Sequence, residues 1–170
     1  MALLHRPPRL PDDQRARLDA SDRRAVLAAT RLTDDRWVAA TRRALYVLSD
    51  DGARRWPWSQ IDHGRLDPET GRLEVRLVTS ATFALPLLDA ATSRPFAATF
   101  RERVQSSVVH ATEQKIPGAG TVQIALRRDE DGALFTQVIG DGRVDLSDER
   151  VAAAVDEAEA RVREAAGLPD

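Results

Sequence analysis

Apolar and polar positions alternate over much of the first half of the chain, and this alternation predicts short β-strands. The clearest case is residues 72–77, where leucine and valine alternate with charged residues, so one face would be buried and the other solvated. Polar turns such as DDG at 50–52 separate these segments. The pattern predicts seven extended segments: 24–32, 38–41, 44–49, 53–61, 62–67, 72–77 and 81–88.

The apolar spacing then changes from two residues to four, which indicates an amphipathic helix within residues 93–111. Phe96, Phe100 and Val104 would lie on one face of it. Ser93 is the expected N-cap, and Pro95 fits the first helical turn. The sequence therefore predicts seven strands followed by one helix.

The last third of the chain predicts a smaller unit. Residues 116–120, IPGAG, are the expected linker. Residues 121–128 and 133–140 predict a β-hairpin across the turn DEDG. A final amphipathic helix is expected over 148–166, capped by Ser147, with a stripe of valine and alanine on one face.

Two segments carry a resemblance to a known family. VAATRRALYVLSDDG at 38–52 and WPWSQID at 56–62 resemble successive strands of bacterial pleckstrin-homology-like (PH-like) domains of an actinobacterial type. The resemblance covers 22–112. It implies an α+β fold in which a seven-stranded antiparallel barrel or sandwich is capped by a C-terminal helix. Here an extra hairpin and helix would follow.

The resemblance and the element pattern together predict three parts. Residues 1–21 would form an N-terminal arm, 22–112 the PH-like barrel with its capping helix, and 113–170 an appended hairpin and helix packed on the barrel. Two strands and one helix are marginal alone, which favours packing on the barrel. The second part is slightly basic and the third clearly acidic, so the two are expected to attract one another.

Composition narrows the functional classes. With 42% hydrophobic and 31% charged residues, the chain is typical of a globular protein. It has no cysteine, which excludes disulfides and thiolate metal sites and suits a reducing compartment. Neither the short apolar start nor any later run predicts a secretion signal or a membrane span, so we expect a cytoplasmic protein. A net charge of −2 argues against a nucleic-acid partner.

The resemblance also bears on ligands, because PH-like domains are binding and scaffolding modules and some hold phosphoinositides with basic loops. The matching loops here contain Asp34, Asp35, Asp50 and Asp51, only partly offset by Arg36 and its neighbours. These carboxylates disfavour phosphoinositide binding. We instead predict that they form a rim for a protein partner or for self-association, with no enzymatic activity and no cofactor.

Two of the three tryptophans lie two residues apart, in RRWPWSQID. In an extended strand, Trp56 and Trp58 would share one face, and Ile61 could join them only across a bend near Pro57. We predict that these indoles belong to the core. The alternative is an aromatic patch or cage that includes Trp37.

Catalytic and metal-binding motifs are missing from the sequence. His5, His63 and His110 share no metal-ligand spacing, and no serine lies in a nucleophile elbow. DEDG at 129–132 begins like a calcium loop but does not continue as one. We therefore predict no metal site. The alternative function is a small hydrolase or ligand-binding enzyme with its site between the barrel and the appended unit, using His63 and a nearby carboxylate.

Overall fold

The computed structural model describes residues 8–117, 120–140 and 144–168. These residues form an α+β fold with three antiparallel sheets and three α-helices. The helices are α1 (Asp12–Ala16), α2 (Ala90–Ser107) and α3 (Glu149–Ala165). The strands are β1 (Val26–Arg31), β2 (Trp37–Thr41), β3 (Ala44–Ser49), β4 (Gly52–Pro57), β5 (Ile61–Leu66), β6 (Arg72–Leu77), β7 (Thr82–Pro86), β8 (Val108–Ile116), β9 (Gly120–Arg128) and β10 (Leu134–Ile139).

The first seven strands form two sheets that share one core. Sheet one has the order β1-β2-β3-β4 and sheet two the order β5-β6-β7. The shared core receives Val38 and Leu45 from sheet one, Val75 from sheet two, and Phe96 and Phe100 from α2. The predicted order of seven strands and then a helix is confirmed.

The resemblance implied a seven-stranded barrel or sandwich; the described residues contain no closed barrel, and the seven strands lie in two antiparallel sheets. Sheets one and two remain separate, joined near β1 and β7 by an isolated bridge between Leu32 and Leu87. Between β4 and β5 the backbone makes a 3₁₀ turn at Trp58–Gln60, which interrupts the extended conformation. The chain therefore passes from one sheet to the next without continuing a single ladder.

Both long helices begin at an aspartate, not at the predicted serine. Asp89, directly before α2, and Asp148, directly before α3, are the N-caps: the carboxylate of each accepts hydrogen bonds from two backbone N–H groups of the first turn. A carboxylate also interacts favourably with the positive end of the helix dipole. Ser93 is buried inside α2, Pro95 lies beyond its first turn, and Ser147 donates instead to a nearby aspartate.

The appended unit is a three-stranded sheet, sheet three, with the order β10-β9-β8. Its additional strand begins at Val108, directly after α2, where the apolar stripe had suggested more helix. The expected linker, residues 116–120, instead joins β8 to β9, and its end residues Ile116 and Gly120 pair with each other. Gly118 and Ala119 lie outside the described residues. Helix α3 covers one face of this sheet. Its predicted stripe is confirmed, with four buried residues: Val151, Val155, Ala158 and Val162.

A buried arginine joins sheet three to sheet two and to the turn that leads into it from sheet one. Arg127 of β9 is 1% exposed, and its Nη1 donates to the carbonyl oxygens of Ile61 at 2.9 Å and Ser59 at 3.4 Å. The same nitrogen lies 3.3 Å from the Ser107 hydroxyl oxygen, and Nη2 lies 3.9 Å from Asp62. Burial lowers the pKa of Arg127, while attraction to Asp62 opposes that shift.

Ion pairs add to this junction at the tip of the β9–β10 hairpin. Arg43 pairs with Asp131, and Arg55 pairs with Glu130. The basic partners lie on sheet one and the acidic partners on the hairpin. This matches the attraction expected between the basic region 22–112 and the acidic region 113–170. Such partly exposed pairs add modest stability individually.

The N-terminal arm covers the outer face of sheet one. Leu10 and Leu18 are buried there against alternate residues of β2 and β3, including Ala39 and Leu48. The inner faces of the same strands line the core shared with sheet two. This two-sided cover explains why β2 and β3 are buried almost throughout and do not alternate between buried and exposed residues.

A polar network lies beneath this arm. The Tyr46 hydroxyl donates to Asp22 at 2.6 Å and accepts from Arg55 Nε at 2.9 Å. Asp19 also lies 3.0 Å from Arg55 Nε. Because Arg55 reaches Glu130 as well, one guanidinium contacts the arm, sheet one and the hairpin.

The network predicts a loss of stability at alkaline pH. Burial, followed by the hydrogen bond to Asp22, raises the pKa of Tyr46 above its ordinary value of 10.0. At a pH between that ordinary value and the folded-state pKa, the Tyr46 hydroxyl is deprotonated in the unfolded chain but still protonated in the folded chain. The stabilisation is thus complete below about pH 10 and is lost as the pH rises.

Tyr46 is the single tyrosine, so tyrosinate absorbance reports on it alone. We expect this absorbance to appear in step with unfolding, which tryptophan fluorescence monitors. The Tyr46→Phe variant should lose this part of the alkaline pH dependence. Tyrosinate formation near pH 10 with unchanged tryptophan fluorescence would contradict the prediction.

Candidate functional site

The predicted acidic rim lies at one end of sheet one. Asp34 and Asp35 occupy the β1–β2 turn, and Asp50 and Asp51 the β3–β4 turn; antiparallel pairing brings the two turns to the same end. Arg17 of the N-terminal arm lies 3.7 Å from Asp50 and donates to the carbonyl oxygens beside it. The structure thus places the four aspartates in two turns at one end of the sheet, and it brings a cation to Asp50.

Arginines that flank the β1–β2 turn offset the charge of Asp34 and Asp35. Arg36 donates to Asp34 through Nη2 at 2.6 Å and Nε at 3.0 Å, and these bonds lower the pKa of that carboxyl. Arg31 donates to Asp35 at 2.7 Å, while Asp35 itself has a positive φ of 67°. The rim is therefore less negative than its aspartates alone suggest.

The structure places two of the three tryptophans in the shared core. Trp58 is 5% exposed, and its Nε1 donates to the Thr41 carbonyl at 3.0 Å. Its ring meets Phe100 edge-on at 5.8 Å. Trp56 is half-buried and stacks on Phe83 with ring centroids 4.5 Å apart. Aromatic contacts of this geometry stabilise a core beyond the area they bury.

The third tryptophan lies elsewhere. Trp37 packs on the outer face of sheet one, beside Tyr46 and under the N-terminal arm. The structure therefore does not bring the three indoles into one cage. Ile61 shares the core with Trp58. The sequence allowed this only with a bend between the two residues, and the 3₁₀ turn after Pro57 supplies that bend.

A groove lies between β5 and α2, beside the predicted residue His63. Strand β5 is an edge of sheet two, and among the described residues no strand pairs with its free side. Two adjoining depressions of about 540 and 400 Å³ follow this edge and share Gly64, Phe100, Arg101 and Gln105. We call this surface the β5–α2 groove; residues 62–64 and 66 line its strand side.

Gly64 sets the distance between strand and helix. A Cβ atom at this position would lie 2.3 Å from the Phe100 ring, far inside van der Waals contact. Glycine therefore lets the helix approach the strand. The helix side then offers an apolar floor, formed by Phe100, Val104 and Val108, and a polar wall that includes Arg101.

One end of the groove holds a histidine–aspartate pair. His63 Nδ1 lies 2.9 Å from Asp62 Oδ2. The β5–β6 register shifts between Ile61 and His63, and this irregularity lets the side chains of two consecutive residues meet. The sequence identified His63 as a candidate, with a nearby carboxylate as its partner. Asp62 is the adjacent residue in the sequence, and that position was the signal for its role. Asp62 also lies near Arg127.

The other histidines do not join this pair. His110 lies on β8, exposed, and not on the helix where the sequence pattern had put it. His5 lies outside the described residues. Within the described parts of the chain, no three histidine or carboxylate side chains are grouped to hold a metal ion. No α-helix in those parts has the length and apolar character to span a bilayer.

Comparison of the chain with protein-family models, with curated proteins and with solved structures gives no match. The resemblance to PH-like domains thus rests on the two sequence segments and on the order of the elements.

The core position of Trp58 can be tested by truncation. Trp58→Ala should lower the free energy of unfolding by about 3–5 kcal/mol, because it leaves a cavity and removes the hydrogen bond to Thr41. Trp56→Ala, at a half-buried position, should cost less. Urea denaturation followed by circular dichroism measures both. A loss of under about 1 kcal/mol for Trp58→Ala would mean that this indole is not a core residue.

Proposed function

We propose that this protein is a non-enzymatic interaction module of PH-like type, and that its β5–α2 groove receives an extended segment of a protein partner. The observation that carries the proposal is the free side of β5 beside an apolar floor. A free strand edge presents backbone N–H and C=O groups that another strand can pair with. Strand addition of this kind supplies affinity through the main chain and specificity through side-chain pockets.

The dimensions of the groove suit a short peptide. The five residues from 62 to 66 span about 16 Å as a strand. Alternate side chains of an added strand would point toward Phe100, Val104 and Val108, and the others toward solvent. Apolar residues two apart in the partner would therefore bury the most surface.

The PH-like class is supported by the succession of seven strands and a helix that packs on both sheets. The segments 38–52 and 56–62 supply the resemblance in sequence. We further propose a cytoplasmic location, since a chain without cysteine suits a reducing compartment. The acidic rim, largely offset by arginines, becomes a secondary candidate for partner contact.

A small hydrolase is the second candidate, and the Asp62–His63 pair favours it. A histidine oriented by a carboxylate can act as a general base. However, the described residues that line the groove include no serine, threonine or cysteine, so the pair would have to activate water. The interaction module is the better supported function for this reason.

Site-specific photo-crosslinking tests the groove directly. A benzophenone side chain at Gln105, an exposed groove residue, should crosslink a protein partner in native lysate. The same group at Ala153, exposed on α3, is the matched control and should not. Gln105→Trp, which fills the groove, should abolish binding of the crosslinked partner, whereas Ala153→Trp should retain it. Equal crosslinking at both positions would contradict the proposal.

Two further variants separate the alternatives. Changing all four rim aspartates to alanine should leave crosslinking at Gln105 intact; its loss would make the rim part of the binding surface. Hydrolysis of simple esters by the purified protein, abolished by His63→Ala, would favour the hydrolase instead.

A further inference from the structure

A second concave surface lies where sheet one, α2 and the β9–β10 hairpin meet. It encloses about 330 Å³ and shares no lining residue with the β5–α2 groove. Four arginines line it: Arg42 and Arg43 from the β2–β3 turn, Arg103 from α2, and Arg128 from the end of β9. We call it the junction cleft.

The carboxylates of the junction cleft already have partners. Asp131 pairs with Arg43, and Glu130 pairs with Arg55 outside the cleft. Asp129 holds the hairpin turn, since its carboxylate accepts backbone N–H groups of residues 131 and 133 at 2.9 and 2.8 Å. Their negative charge is therefore partly offset before any ligand is considered.

Several guanidinium donors remain without a strong acceptor. Arg42 is exposed and makes no ion pair with a described residue, and Arg128 has only a 3.5 Å contact to the Gly132 carbonyl. Arg103 donates through Nη2 to Glu102, but its Nε is buried without a hydrogen-bond partner. The guanidinium groups of Arg42, Arg103 and Arg128 therefore keep N–H donors without a strong acceptor among the described residues.

We propose that the junction cleft binds a phosphate group. Guanidinium groups present paired N–H donors that match phosphate oxygens. Arg42, Arg103 and Arg128 line this cleft, and each keeps donors without a strong acceptor. The cleft has the volume of about ten water molecules, which leaves room for a phosphate and the group that carries it. Arg42 and Arg128 come from different sheets, so a bound phosphate would also link sheet one to sheet three.

Two sources can supply this chemistry: a free small phosphate compound, or a phosphorylated side chain of a partner protein. The experiment uses inorganic phosphate and N-acetyl-phosphoserine amide as probes, with titration calorimetry and thermal unfolding at low salt. We expect binding and a rise in Tm with at least one probe. Added salt should weaken the binding, since these charges are partly exposed.

The variants locate the site. Because Arg42 is exposed, Arg42→Gln should keep the fold and weaken binding about tenfold, as should Arg128→Gln. Arg150→Gln, at an exposed arginine of α3, removes the same charge elsewhere and should bind like the wild type. Tighter binding of phosphoserine would identify a protein-borne phosphate, and tighter binding of inorganic phosphate a free one; both support the site.

Failure of both probes to bind below about 10 mM would overturn the proposal. An equal loss of affinity in Arg150→Gln would do so too, because binding would then reflect net charge alone.

Discussion

The buried guanidinium of Arg127 is the interaction on which the arrangement of the three sheets depends. A charge that is 1% exposed must find acceptors within the protein, and those acceptors are the carbonyl groups of Ser59 and Ile61. These carbonyls belong to the segment where the chain turns from sheet one into sheet two. A single side chain of β9 therefore fixes the crossover between the sheets and the position of sheet three.

This constraint also sets the surroundings of both proposed sites. Asp62 lies between Arg127 and His63, so the end of the β5–α2 groove is held by the same charge that anchors β9. At the hairpin tip, the ion pair between Arg43 and Asp131 lines the junction cleft together with Glu130. The groove and the cleft are consequently two faces of one junction.

Local patterns in the sequence predicted the helical stripe of α3, the bend near Trp58 and every described strand except β8, because each depends on neighbouring residues. The sequence did not decide between a barrel and a sandwich, since sheet closure depends on pairing between distant strands. Val108 continued an apolar helical spacing yet begins a strand, because pairing with β9 outweighs a weak local preference. The strand pattern does not distinguish the buried Arg127 from the exposed Arg128; only the fold reveals the acceptors of Arg127, and with them the groove and the cleft.

The most direct test is native-state hydrogen exchange of β9 alongside tryptophan fluorescence, which reports on sheet one and the crossover through its three residues at 37, 56 and 58. In the wild type, both should give the same free energy of unfolding. Arg127→Met should remove about 3 kcal/mol and let β9 exchange through an opening that leaves fluorescence unchanged. Arg128→Met, at the exposed neighbour, should neither lower the stability nor open β9 separately from the rest. If Arg127→Met behaved like Arg128→Met, the junction would not depend on this buried charge.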